Sequence, residues 1–125
     1  MLFRSANRLP LLILSGDTFQ SRVPDPVLQQ VEHFGAPSTT VNDAFRAVTR
    51  YWDRIVKPEQ VGPSLSLAVD TMLDPSDCGP AFIGLPQDVQ VEAYDYSSHL
   101  FEPRVHELRR PQPDQIGRAS CRERV

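Results

Sequence analysis

The chain has 125 residues, 40% of them apolar, and a formal net charge of −3. That size suits one domain with a real core, and the acidic balance argues against a phosphate-backbone binder, which needs clustered Lys and Arg. No apolar run approaches the roughly 18 residues of a membrane span, and Cys78 and Cys121 lack metal or redox spacing. A cytoplasmic protein with no nucleic acid and no membrane partner is therefore expected.

In chain order, Leu11 to Leu14 reads as a buried strand, with Ser15-Gly16-Asp17 as the loop at its C-terminal end. The apolar run is too short for the core of a signal peptide. After the turn Pro24-Asp25-Pro26, the apolar residues Val27, Leu28 and Val31 recur at helical spacing, and Gly35 stops that short helix. Asn42 is placed to cap a second short helix carrying Ala44, Phe45 and Val48. Tyr51 to Val56 suits a strand or a helix end.

Pro58 fits the first turn of a longer helix, because its missing N–H has no intrahelical partner there. That helix should run to about Leu73, with Val61, Leu65, Ala68, Val69 and Met72 as its apolar stripe. Gly62 and Pro63 should weaken its start, so that order begins near Ser64. Asp74-Pro75 ends it. Gly79-Pro80 is a turn, and Ala81 to Leu85 is an unbroken apolar run stopped by Pro86, as suits a strand covered on both faces. Beyond Gln87 periodicity fades and prolines recur, which reads as a linker. Strand, helices, strand, long helix, strand implies α/β: a partial parallel sheet with flanking helices, followed by a linker.

The termini have a different character. Ile116 to Val125 is what one reading frame of a common short-read sequencing adapter encodes, and Leu2-Phe3-Arg4-Ser5 matches that adapter's other end. Residues 1–5 and 116–125 are therefore expected to be adapter-derived and not to pack on the core. Without them, residues 6–115 hold nine basic and 15 acidic residues, a formal charge of −6. The expected organisation is a partial domain over 6–92 and a linker over 93–115.

The segment from Asp77 to Val89, with Gly79-Pro80-Ala81-Phe82-Ile83-Gly84-Leu85-Pro86 at its heart, resembles the strand that closes the pyrimidine-binding (PYR) domain of thiamine diphosphate enzymes. Asn7 to Phe19 is similar to an earlier strand of the same domain. Arg50-Tyr51-Trp52-Asp53-Arg54-Ile55 and Pro86-Gln87-Asp88-Val89-Gln90-Val91-Glu92-Ala93-Tyr94-Asp95-Tyr96 narrow the resemblance to the trihydroxycyclohexane-dione hydrolases of inositol catabolism. It runs from about Ala6 to Asp114.

The resemblance implies hydrolytic opening of a cyclic 1,2-dione with thiamine diphosphate and Mg. The cofactor would supply the carbanion chemistry and the protein the orientation. It also implies that this chain is the C-terminal portion of a PYR domain. The family's cofactor-activating glutamate would lie upstream, and its Gly-Asp-Gly metal motif in a separate downstream domain. Hence no catalytic residue, no metal ligand and no cofactor are expected for the isolated chain. Its partners would be the missing domains and a second subunit of a homo-oligomer, with a small-molecule substrate in the parent. Two alternatives stay open: a fragment of another thiamine diphosphate enzyme, such as acetolactate synthase, or a stand-alone non-catalytic α/β binding module.

Few single residues invite a functional role. Phe45 and Arg46 are the candidates for a cofactor cleft, because they align with a segment of acetolactate synthases near the cleft between subunits, where Gln stands in place of Arg46. Asp43 and Asp53 could pair as carboxylates, although capping or surface roles suit each. His33 suits a helix end. His99 and His106, near Glu102 and Glu107, have no zinc spacing and suit solvated surface. Ser15 before Gly16 lacks a nucleophile-elbow pattern, and Cys78 suits a small, half-buried position.

Overall fold

A computed structural model describes residues 2–22 and 35–107 of the chain. Its centre is a three-stranded sheet, all parallel, built from β1 (Leu11–Asp17), β2 (Tyr51–Arg54) and β3 (Pro80–Pro86) in the order β1-β3-β2. The expected α/β class is what forms. The Ala81–Leu85 run becomes the central strand, with a proline at each end, where the ladder tolerates a residue without an N–H. All of β3 is buried except the half-buried Leu85, so an apolar run without alternation is what two covered faces require.

Side chains alternate across the sheet, and different elements cover the two faces. On one face Ala81 and Ile83 pack with Ile55, Val89 and Ala68, the last from helix α2 (Val61–Leu73). On the other face Phe82, fully buried, stacks against Phe45 at 5.0 Å and Trp52 at 6.1 Å between ring centroids. Phe45 comes from a 3₁₀ helix, Val41–Val48. Burying a side chain of this size contributes about 1.5–3 kcal/mol.

Four expectations need correction. First, β1 runs on through Ser15, Gly16 and Asp17, which pair with Gly84, Leu85 and Pro86; ladder partners were available, and Asp17 gains a buried cation, so no loop forms there. Second, the cap of the Val41–Val48 segment is Thr40, whose hydroxyl accepts from the Asn42 amide while the Asp43 carboxylate accepts from the Thr40 amide at 2.8 Å. This capping box takes the terminal role and leaves the Asn42 side chain to bond elsewhere.

Third, Pro58–Gln60 is a separate 3₁₀ turn, and α2 starts at Val61 rather than Ser64. Pro63 falls within the first turn of α2, where the missing N–H has no intrahelical partner, so it does not weaken the start. Fourth, the expected stripe holds at Val61, Ala68 and Met72, which pack in or against the core, but Leu65 is exposed and Ser64 is buried beside Ala68 instead. Small residues let the helix lie close to the strands, and Ser64 bonds Tyr51 Oη at 2.9 Å.

Leu2–Ala6 forms a short helix, α1, with no buried residue. At the other end, residues 92–107 have one 3₁₀ turn, Ser98–Phe101, and run beside α2. The helix expected over Val27 to Val31, His33, Cys121 and residues 116–125 lie outside the described residues. Among the described residues, no helix is long and apolar enough to cross a membrane.

Candidate functional site

Because the three strands are parallel, their C-terminal ends share one edge of the sheet, where open α/β sheets build their crevices. Asp17 ends β1 and Arg54 ends β2, on either side of the central strand. Asp17 has no solvent exposure, and its Oδ2 accepts from Arg54 Nε at 2.6 Å. Its Oδ1 accepts from the Thr18 amide at 2.8 Å. The far end of the guanidinium donates through Nη2 to Asp43 Oδ2 and to Thr40 Oγ1, both at 2.7 Å. One arginine thus ties β1, β2 and the capped 3₁₀ helix together.

Asn42, also buried, completes the edge: Nδ2 donates to the Gly16 carbonyl at 2.8 Å, and its own carbonyl accepts from Trp52 Nε1 at 2.9 Å. Gly84 is what leaves room. A Cβ there would stand 3.0 Å from Asp17 Oδ2, and the ion pair crosses β3 over this glycine. Beside the network lies a cleft of about 200 Å³, with Thr18, Gln20, Arg22, Ser38, Thr40 and Arg54 in its lining.

The electrostatics make this a fixed frame rather than a proton carrier. Burial pushes the Asp43 carboxyl up, but the Thr40 amide and the guanidinium groups of Arg54 and Arg46 outweigh it and hold it at about 2. Burial alone would lower Arg54, yet its bonds to Asp17 and Asp43 raise it above its ordinary value. Neither group changes charge near neutral pH, so neither serves as a general acid or base there.

Phe45 and Arg46 fall within this assembly. Arg46 Nε donates to Asp43 Oδ1 at 2.8 Å, and its guanidinium carbon lies 3.7 Å from the centre of the Trp52 ring, a cation–π contact. Asp43 and Asp53 do not pair. Asp43 binds Arg54, whereas Asp53 accepts from its neighbours Tyr51 Oη at 3.3 Å and the Arg54 amide at 2.8 Å. Successive residues of a strand point to opposite faces, which carries the Asp53 side chain away from that of Arg54.

His99 contacts Glu102 at 2.8 Å on the surface, and His106 lies 3.7 Å from Asp70. Ser15 Oγ donates to the Gly16 carbonyl at 3.1 Å, and Cys78 Sγ to the Met72 carbonyl at 3.0 Å. Sequence reading missed Asp17, Arg54, Thr40 and Asn42 as a group. The available signal was an acid just past an apolar strand run, with Ser15 and Gly16 between, since a carboxylate drawn into a sheet needs a cation as partner.

The described residues do not by themselves fit a metal ion. Among them, no group of three or more His, Cys, Asp or Glu residues could hold a metal ion. Both oxygens of the fully buried Asp17 carboxylate are already engaged.

No family model matches the chain. Individual relatives do. A 3D-(3,5/4)-trihydroxycyclohexane-1,2-dione hydrolase from Bacillus velezensis is 48% identical over 120 residues, 96% of this chain and 19% of the relative. The chain corresponds to a segment of these hydrolases. Proteins of the same name from Geobacillus thermodenitrificans and Clostridium tetani are each 50% identical over 109 residues, covering 87% of this chain and 17% of the hydrolase. The chain thus spans about a fifth of the length of the hydrolases it matches. At 120 residues, the first match is longer than the 6–115 segment and takes in part of the termini that the adapter reading sets aside.

Proposed function

We propose that this chain is part of the pyrimidine-binding domain of a hydrolase that opens the ring of an inositol-derived cyclic 1,2-dione, using thiamine diphosphate and Mg in the cytoplasm. The observation that carries this reading is the 48% identity over 96% of the chain to a protein named for that hydrolysis. The parallel sheet with helical elements on both faces supports the domain type. The role assigned to the chain is architectural. It supplies a rigid sheet edge, locked by Arg54, against which the remainder of the enzyme and a second subunit assemble the cofactor cleft.

On this reading the cofactor site needs residues that the chain does not supply, and the Asp17–Arg54–Asp43 network acts by holding the edge in place. Isothermal titration of the 125-residue chain with thiamine diphosphate and Mg should give no saturable heat. The longer protein that contains this segment should bind the cofactor and open the dione ring. Low-micromolar binding by the chain itself, about −8 kcal/mol, would overturn the proposal. So would a longer protein that leaves the dione intact.

A further inference from the structure

The segment that reads as a linker lies against α2 in a regular register. Tyr96 Oη donates to the Pro58 carbonyl at 2.8 Å, Leu100 lies over Gly62, and Arg104 Nη1 reaches Ser66 Oγ at 3.3 Å. His106 Nδ1 then lies 3.7 Å from Asp70. The first three contacts advance four residues at a time on both sides. The last advances four along α2 for two along the tail. A chain that merely left the domain would have no reason to keep this spacing.

Gly62 supplies an independent observation. Glycine inside a helix is unfavourable relative to alanine, because its backbone loses more freedom on ordering. Here its φ is not positive, so no special backbone conformation requires it. What requires it is space: a Cβ at position 62 would stand 3.1 Å from Leu100 Cδ1, and the missing side chain makes a notch that seats Leu100. Leu100 and Tyr96 are also the half-buried members of an otherwise exposed stretch from Val91 to Glu107.

We infer that residues 96–106 are a strap, seated in the Gly62 notch and keyed along the Pro58–Gln60 turn and α2, which holds this segment on the domain. Displacement of the strap would expose the groove of about 230 Å³ between α2 and Leu100, Arg104 and His106.

The test is limited trypsin cleavage of the 125-residue chain after Arg104, with hydrogen exchange on residues 96–106. Leu100→Ala, which leaves the sheet core untouched, should speed cleavage on the order of tenfold and remove exchange protection from the strap. Gly62→Val should do the same by filling the notch. Tyr96→Phe, which loses one hydrogen bond, should have a smaller effect in the same direction. Because the buried face of α2 is unchanged in the Leu100 and Tyr96 variants, protected exchange in β3 will show that the fold is intact. Equal cleavage in the parent chain and Leu100→Ala, with β3 protected, would overturn the strap.

Discussion

Arg54 Nε lies 2.6 Å from Oδ2 of Asp17, and the pair closes over the central strand at Gly84, linking two strands that do not touch as neighbours. This contact sets the character of the sheet edge. A buried pair contributes little relative to an apolar pair, but breaking it leaves a charge stranded out of water. Its value is therefore positional: it fixes β1 and β2 relative to each other and fills the edge with paired charges.

Arg54→Met should accordingly lower stability by roughly 3–5 kcal/mol, because it strands the fully buried Asp17 carboxylate; that is a large part of the roughly 5–15 kcal/mol available to a domain. Replacing both partners, as Asp17→Leu with Arg54→Met, should be less damaging than Arg54→Met alone, because no carboxylate is then stranded at position 17. Urea unfolding of the two singles and the double variant measures the coupling. Additive losses would show that the two groups act independently.

Gly84→Ala tests the passage over β3. The added Cβ would meet the Asp17 carboxylate at 3.0 Å, and neither Asp17 nor the strand backbone can move far, since both are buried. Destabilisation of roughly 1–3 kcal/mol is expected, read as a lower thermal midpoint. The only tryptophan of the chain, Trp52, is held by Asn42 and should report any local loosening by its fluorescence. An unchanged midpoint would refute the close approach.

Asp43 gives a pH dependence with a definite sign. Its carboxyl sits at about 2 in the folded protein against an ordinary value of 3.8. A depressed carboxylate adds stability that is fully present above the unfolded value and is lost as pH falls through the folded one. The chain should therefore lose stability between about pH 4 and pH 2, and Asp43→Asn should flatten that part of the profile. Asp88 adds to the same trend: burial raises it, but the Ser21 and Gln20 amides lower it further. A carboxyl resonance of Asp43 titrating near 4 would contradict this account.

The elements were legible where local pattern and packing agreed. Ala81–Leu85 could be read as a covered strand because five apolar residues bounded by prolines leave few other uses, and it became the central β3. The Asn42 assignment missed because two polar residues, Thr40 and Asn42 on either side of Val41, could each cap. Only the approach of Ser15 and Gly16 decided that the Asn42 side chain would bond them and Thr40 would take the helix end. The α2 stripe was right at Val61, Ala68 and Met72 and missed only at Leu65, because helical spacing alone does not say how far a stripe reaches round the helix. Close approach to the sheet seated the small Ser64 beside Ala68 where Leu65 had been expected.

What this sequence determined by itself is the α/β order of its elements, the covered central strand, the acidic balance and the resemblance to dione hydrolases, all of which depend on residue type and near neighbours along the chain. Tertiary structure alone decided that Asp17, Thr40, Asp43 and Arg54 would become one network, although 37 residues separate Asp17 from Arg54 along the chain. It also decided that the tail would lie along the Pro58–Gln60 turn and α2. The reason is physical: a strand period or a helix start is written in adjacent residues, whereas the partner of a buried charge and the tenant of a glycine notch are chosen by which surfaces the fold brings together.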